Sequence, residues 1–191
     1  MKTHRISLLV PVALAGMLIV SCGANHSSDS TTPIYLTENI STGVADVDVS
    51  IPTDVAIPSM SITSHAKSPS GLLGGQDDVI LDLWVITPSR SDGGTVASPQ
   101  WRVTNLTTYV PAGGSANLVN YRIFPADYFS QPPLNQLLPQ NGGVDKDTGK
   151  CNIRQTLHIE IFGKTVSGKP VSLAFDNALN FFYVTPSCST P

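Results

Sequence analysis

Ile153-Arg-Gln-Thr-Leu-His-Ile-Glu-Ile-Phe162 and, after a turn, Val171-Ser-Leu-Ala-Phe-Asp-Asn-Ala-Leu-Asn-Phe-Phe-Tyr-Val184 decide the fold. Apolar and polar residues alternate in both runs with period two, the repeat of a strand with one face buried. Leu157, Ile159 and Ile161 fall on one face of the first run. Val171, Leu173, Phe175, Leu179, Phe181 and Tyr183 fall on one face of the second, with Phe182 pointing the other way. Residues 163–170 between them carry turn chemistry, so the two runs are expected to form a hairpin.

The same period recurs upstream. Val79 to Ile86 places Val79, Leu81, Leu83 and Val85 on one face and Ile80, Trp84 and Ile86 on the other, the pattern of a strand covered on both sides. Val47, Val49 and Ile51 alternate with Asp46, Asp48 and Ser50. Asp48-Val-Ser-Ile-Pro52 is then echoed by Asp54-Val-Ala-Ile-Pro58, and Met60 and Ile62 continue the pattern. Two copies of a six-residue unit do not make a solenoid. They read as consecutive edge segments, because Pro52 and Pro58 cannot donate to a ladder. Residues 67–76 and 89–99 are turn-rich loops, and Trp101, Val103 and 106–110 follow as short strand material. In Pro111-Ala-Gly-Gly114, proline presets φ and glycine supplies a positive φ, so the chain should reverse there and return as Leu118–Phe124. Residues 125–150 are long for a connection, which invites a functional reading. Asp127-Tyr-Phe129 and Pro132-Pro-Leu-Asn-Gln-Leu-Leu138 should each form a short helical turn.

Seven to eight strands separated by turns read as an all-β antiparallel sandwich. Tyr109-Val-Pro-Ala-Gly-Gly-Ser-Ala-Asn-Leu118 resembles a hairpin of bacterial immunoglobulin-like domains, and the resemblance implies an immunoglobulin-like sandwich. A jelly roll or small barrel is the alternative.

At the start of the chain, Lys2 and Arg5 precede an apolar run, Ile6 to Val20, broken by Pro11 and Gly16. Such a run suits a signal-peptide core and falls short of the roughly 20 residues of a spanning helix. It ends in Ile19-Val20-Ser21-Cys22, which resembles the lipobox of bacterial lipoproteins. The resemblance implies cleavage before Cys22, acylation of its thiol and a lipid-anchored mature protein. Residues 1–21 are then the signal peptide, 22–33 the acylated cysteine and a polar tether, and 34–191 a single β-sandwich domain. Gly23, in place of the aspartate that retains enteric lipoproteins at the inner membrane, implies the outer membrane, on its periplasmic or surface face.

Composition narrows the partners. The formal charge of −3 becomes about −5 once Lys2 and Arg5 are removed, and no basic stripe interrupts the chain. Nucleic acid is excluded as a partner, and docking on anionic lipid by charge alone is not expected. With Cys22 assigned to lipid, Cys151 and Cys188 remain, and an exported protein favours their pairing. A bond between them would contribute on the order of 3–4 kcal/mol. A simple 163–170 hairpin puts Cys151 across from about residue 182, so Cys188 overshoots unless the tail after Pro186 folds back.

Chemistry-bearing constellations are sparse. Asn141 to Gly149 has the oxygen-rich look of a calcium loop, with Asp145 and Asp147 as carboxylates, but Lys146 lies between them and no bidentate glutamate follows. The alternative is a polar turn entering the Cys151 strand. His26, His65 and His158 lack ligand spacing, Cys188 lacks the following histidine and methionine of a blue-copper site, and no Gly-x-Ser-x-Gly elbow occurs. No catalytic residue, metal or cofactor is therefore expected. Tyr128 and Phe129 in the long loop form either an exposed aromatic platform or a cap on the end of the sandwich. The expectation is a non-enzymatic structural or protein-interaction module with an envelope partner. A glycan- or calcium-binding module using the 125–150 loop comes second, and an unrecognised hydrolase third.

Overall fold

The computed structural model describes residues 31–44, 46–104 and 106–183. Nine strands run in the order β1 (Ile34–Thr42), β2 (Val47–Asp48), β3 (Val55–Ala66), β4 (Val79–Arg90), β5 (Trp101–Val103), β6 (Thr108–Val110), β7 (Ser115–Phe124), β8 (Asn152–Thr165) and β9 (Pro170–Phe182). They form two sheets packed as a β-sandwich. One is three-stranded, in the order β1-β3-β7. The other runs β2-β9-β8-β4-β5, with β6 also paired to β4. All pairings are antiparallel except that of β2 with β9.

The alternation in β8 and β9 is the alternation of the core. Ile153, Leu157, Ile159, Ile161, Val171, Leu173, Phe175, Leu179 and Phe181 are buried against the opposite sheet. The hairpin turns at Gly168, whose φ of 85° suits a residue without Cβ. Trp84 stacks on Tyr121 of the other sheet, ring centroids 3.8 Å apart, and so joins the two layers.

Three sequence expectations are corrected. First, β4 has a bulge between Leu81 and Leu83 that shifts its phase by one residue. Trp84 and Ile86 therefore face the core together with Val79 and Leu81, whereas Leu83 and Val85 lie on the opposite face, where Leu83 is half-buried and Val85 is still buried. Gly163 lies opposite the bulge, where a Cβ would overlap the Ile80 carbonyl oxygen and come within 2.7 Å of Leu81 Cα. Second, β3 is the central strand of its sheet, not an edge. Pro58 is accommodated by a break in alternation: Ile57 and then Met60 are buried, and Asn120 in the facing strand takes a φ of 52°. Ile51 leaves the pattern and is 61% exposed. Third, Pro111–Gly114 does form a turn, with the Gly114 N–H donating to the Pro111 carbonyl at 2.9 Å, but it is not a hairpin of paired strands. β6 pairs with β4 and β7 with β3, so the turn carries the chain from one sheet to the other.

Strand directions give the sandwich two distinct ends. The lower end gathers the start of β1, the 67–78 connection, the Pro111 turn and the β8–β9 turn. The upper end gathers the 43–54 and 91–100 connections and the long 125–150 loop.

Candidate functional site

The 125–150 loop packs its apolar residues inward. Three 3-10 turns span Ala126–Ser130, Leu134–Leu137 and Pro139–Asn141, the first two where the sequence predicts them, and the Pro132–Pro133 bond is cis. Phe129, Leu134 and Leu137 are buried. Phe129 sits edge-on to Phe124 and Phe181, with centroids 5.7 and 6.0 Å away. Tyr128 meets Phe124 edge-on at 5.4 Å, and its hydroxyl donates to the Gln100 carbonyl at 3.2 Å. This pair caps the upper end of the core.

Asp145 and Asp147 are drawn into a network around Arg90. Downstream of the bulge, Trp84, Ile86, Pro88 and Arg90 share the core-facing row of β4, so Arg90 arrives buried at the upper rim. Its Nε and Nη2 donate to the two Asp92 oxygens at 2.8 and 2.9 Å, and Nη2 also donates to Asp145 Oδ2 at 2.8 Å. Its Nη1 donates to the Val96 carbonyl at 3.0 Å. All three charged side chains are almost completely buried. Asp145 Oδ2 further accepts from the Thr148 hydroxyl at 2.6 Å and the Thr148 N–H at 3.1 Å. Asp147 accepts from the Thr95 N–H and hydroxyl and from the Val96 N–H, which ties the 91–100 connection to the loop.

Burial pushes the Asp92 carboxyl up. The Arg90 guanidinium and the N–H groups of Arg154 and Gly94 outweigh it and hold Asp92 well below the usual carboxylate range. Asp145 is shifted in the same direction, burial being outweighed by Arg90 and Thr148. The Thr95 N–H and hydroxyl lower Asp147. The oxygens that would face a calcium ion thus face a guanidinium and backbone donors, which favours the structural-turn reading of 141–149.

Among the other sequence candidates, His158 lies on the exposed face of β8, its Nδ1 2.7 Å from Asp176 Oδ1. His65 stacks on Tyr35 with centroids 5.0 Å apart and bonds Thr37 Oγ1 at 2.9 Å. Cys151 is half-buried just before β8. Asn152 pairs with Phe182, so Cys151 falls level with residue 183. Cys188, Cys22 and His26 lie outside the described residues.

A second feature was not read from the sequence. Where the two sheets part, between β5–β6 and β7, a cleft of about 630 Å³ opens. Trp101, Val103, Tyr109, Leu118, Tyr121 and Arg122 line it, the Arg122 guanidinium lying 4.7 Å from the Trp101 ring centre. Val119 on its rim is 70% exposed. Tyr109 is held by a hydrogen bond from its hydroxyl to Asp78, and Arg122 by Asp54 at 3.0 Å. Among the described residues, β7 has a ladder partner only in β3 and β5 only in β4, so each presents a free strand edge to the cleft. The site joins residues from two sheets, which no local pattern reveals. Comparison with protein-family models, with curated proteins and with solved structures found no match.

Proposed function

We propose that the chain is a lipid-anchored protein of the bacterial cell envelope, held by acylated Cys22 at the outer membrane, and a non-enzymatic module that binds an extended segment of another envelope protein. The observation that carries the interaction is the aromatic cleft between two free strand edges. An exposed edge offers a row of backbone donors and acceptors, and an added strand satisfies them while its alternate side chains enter neighbouring pockets. Trp101, Tyr109 and Arg122 belong to the residue types that dominate protein-binding hot spots. The Arg90 network supports a structural role for the upper loop over a calcium role, because Asp145 is already neutralised from within the protein.

Affinity capture from detergent-solubilised membranes tests the reading, with the intact protein compared with Trp101→Ala and Val119→Asp. A partner retained by the intact protein and lost by both folded variants, with slowed amide exchange in β7 of the complex, is the expected result. A partner retained equally by both variants refutes the cleft. Dimerisation of the purified chain through β7 would reassign the edge to self-association.

A further inference from the structure

We propose that the lower end of the sandwich lies against the bilayer, with Leu72 inserted among the lipid headgroups. The inference rests on the lipid-anchor reading. Lipidated Cys22 joins the described structure at the lower end: Lys67 N–H donates to the Pro33 carbonyl at 2.8 Å, and Ile34 pairs with Ala66. Residues 23–33 span at most about 40 Å even when drawn straight, and they enter the domain at its lower end, which is therefore the end nearest the anchor.

What that end presents fits a bilayer. Leu72 is 98% exposed, while its neighbour Leu73 packs against the core. The connection that carries it is tied down: Gly71 N–H bonds the Ser68 carbonyl at 2.9 Å, Gly74 N–H bonds Asp77 Oδ2 at 3.1 Å, and Ser167 N–H bonds the Gln76 carbonyl at 2.9 Å. The last bond sets Val166, itself 55% exposed, on the same end. Lys164 and Lys169 flank Val166 in sequence at the β8–β9 turn of the same end. Asp77 is buried, and Asp78 accepts from Tyr109 and from the Ala112 N–H. Lysines and aspartates both stand at this end, so the apolar tips, not net charge, carry the contact. No single lysine or leucine holds the domain. The acyl anchor makes the contact intramolecular, so a weak surface suffices.

The full lipidated chain is reconstituted into vesicles of phosphatidylethanolamine and phosphatidylglycerol with brominated acyl chains. Leu72→Trp is compared with Ile51→Trp at the upper end, after subtraction of the emission of Trp84 and Trp101. The indole added at position 72 should lose most of its emission to the bromine, and the one at 51 should keep it. In the unmutated protein, amide exchange over 68–74 should slow on vesicles relative to the 91–100 connection. An unquenched indole at 72, equal quenching at both positions or unchanged exchange over 68–74 overturns the docking. Protein that fails to float with the vesicles and carries no acyl group on Cys22 overturns the anchor instead.

Discussion

Removing the Arg90 side chain leaves the carboxylates of Asp92 and Asp145 buried without a cation. Losing one member of a buried ion network costs about 3–5 kcal/mol, because the remaining charges keep their desolvation penalty. Arg90→Ala should lower stability by that order in urea denaturation. Arg90→Lys should recover little of it, since a point charge cannot bond both Asp92 oxygens and Asp145 together. The same carboxylates set the acid limit. Their folded pKa values lie below the unfolded value of about 3.9. Their contribution is therefore complete above that pH and fades as pH falls toward the folded values. The intact protein should lose stability steadily below about pH 4, and Arg90→Ala should show a flatter acid limb. Gly163 is the other residue whose identity is fixed by geometry. Gly163→Ala drives a Cβ into the backbone at the β4 bulge, and overpacking of this kind costs about 1–3 kcal/mol or more. A melting temperature unchanged by this substitution would show that the bulge can relax.

At the scale of elements, β8 and β9 are legible because each strand has one buried face and no irregularity, so period two survives from end to end. Leu157→Asp tests that facing: an unpaired carboxylate would enter the core beneath the other sheet, and the domain should not fold. A cooperative melt of this variant would contradict the facing. β4 misleads because one bulged residue moves every later side chain to the opposite face. The misassignment hides Arg90, which appears as the end of a core-facing row only once the phase shift is known. The Pro111 turn misleads differently. Its local chemistry is that of a reversal, and the chain does reverse, but which sheet receives each arm is decided by pairing with β3 and β4, far away in sequence. The long loop was readable as two helical turns, and its role as a cap follows from Phe129, Leu134 and Leu137. Leu134→Ala should cost about 2–5 kcal/mol through the cavity it leaves, and amide exchange should accelerate across 126–141 before the sheets open.

For the whole molecule, the proposed division of labour separates where the protein sits from how it folds. The β1 strand begins at Ile34, and its side chain and that of Leu36 are fully buried in the core of the sandwich. Cys22→Ala should therefore abolish incorporation of labelled fatty acid and shift the protein out of the membrane fraction or leave it as uncleaved precursor. The β domain should keep its urea midpoint. Loss of folding in this variant would mean that the segment before Ile34 contributes to the core. Unchanged membrane fractionation of cleaved Cys22→Ala protein would mean that something other than an acyl chain holds it, and the lower end with Leu72 would then have to account for the whole affinity. A single exposed leucine beside one exposed valine is too weak for that. In the proposed arrangement the anchor supplies residence, and the surface beside it supplies orientation. In that arrangement the β5–β7 cleft opens on the flank of the domain, neither at the lower end nor capped by the 125–150 loop, and the proposed segment of another envelope protein would reach it there.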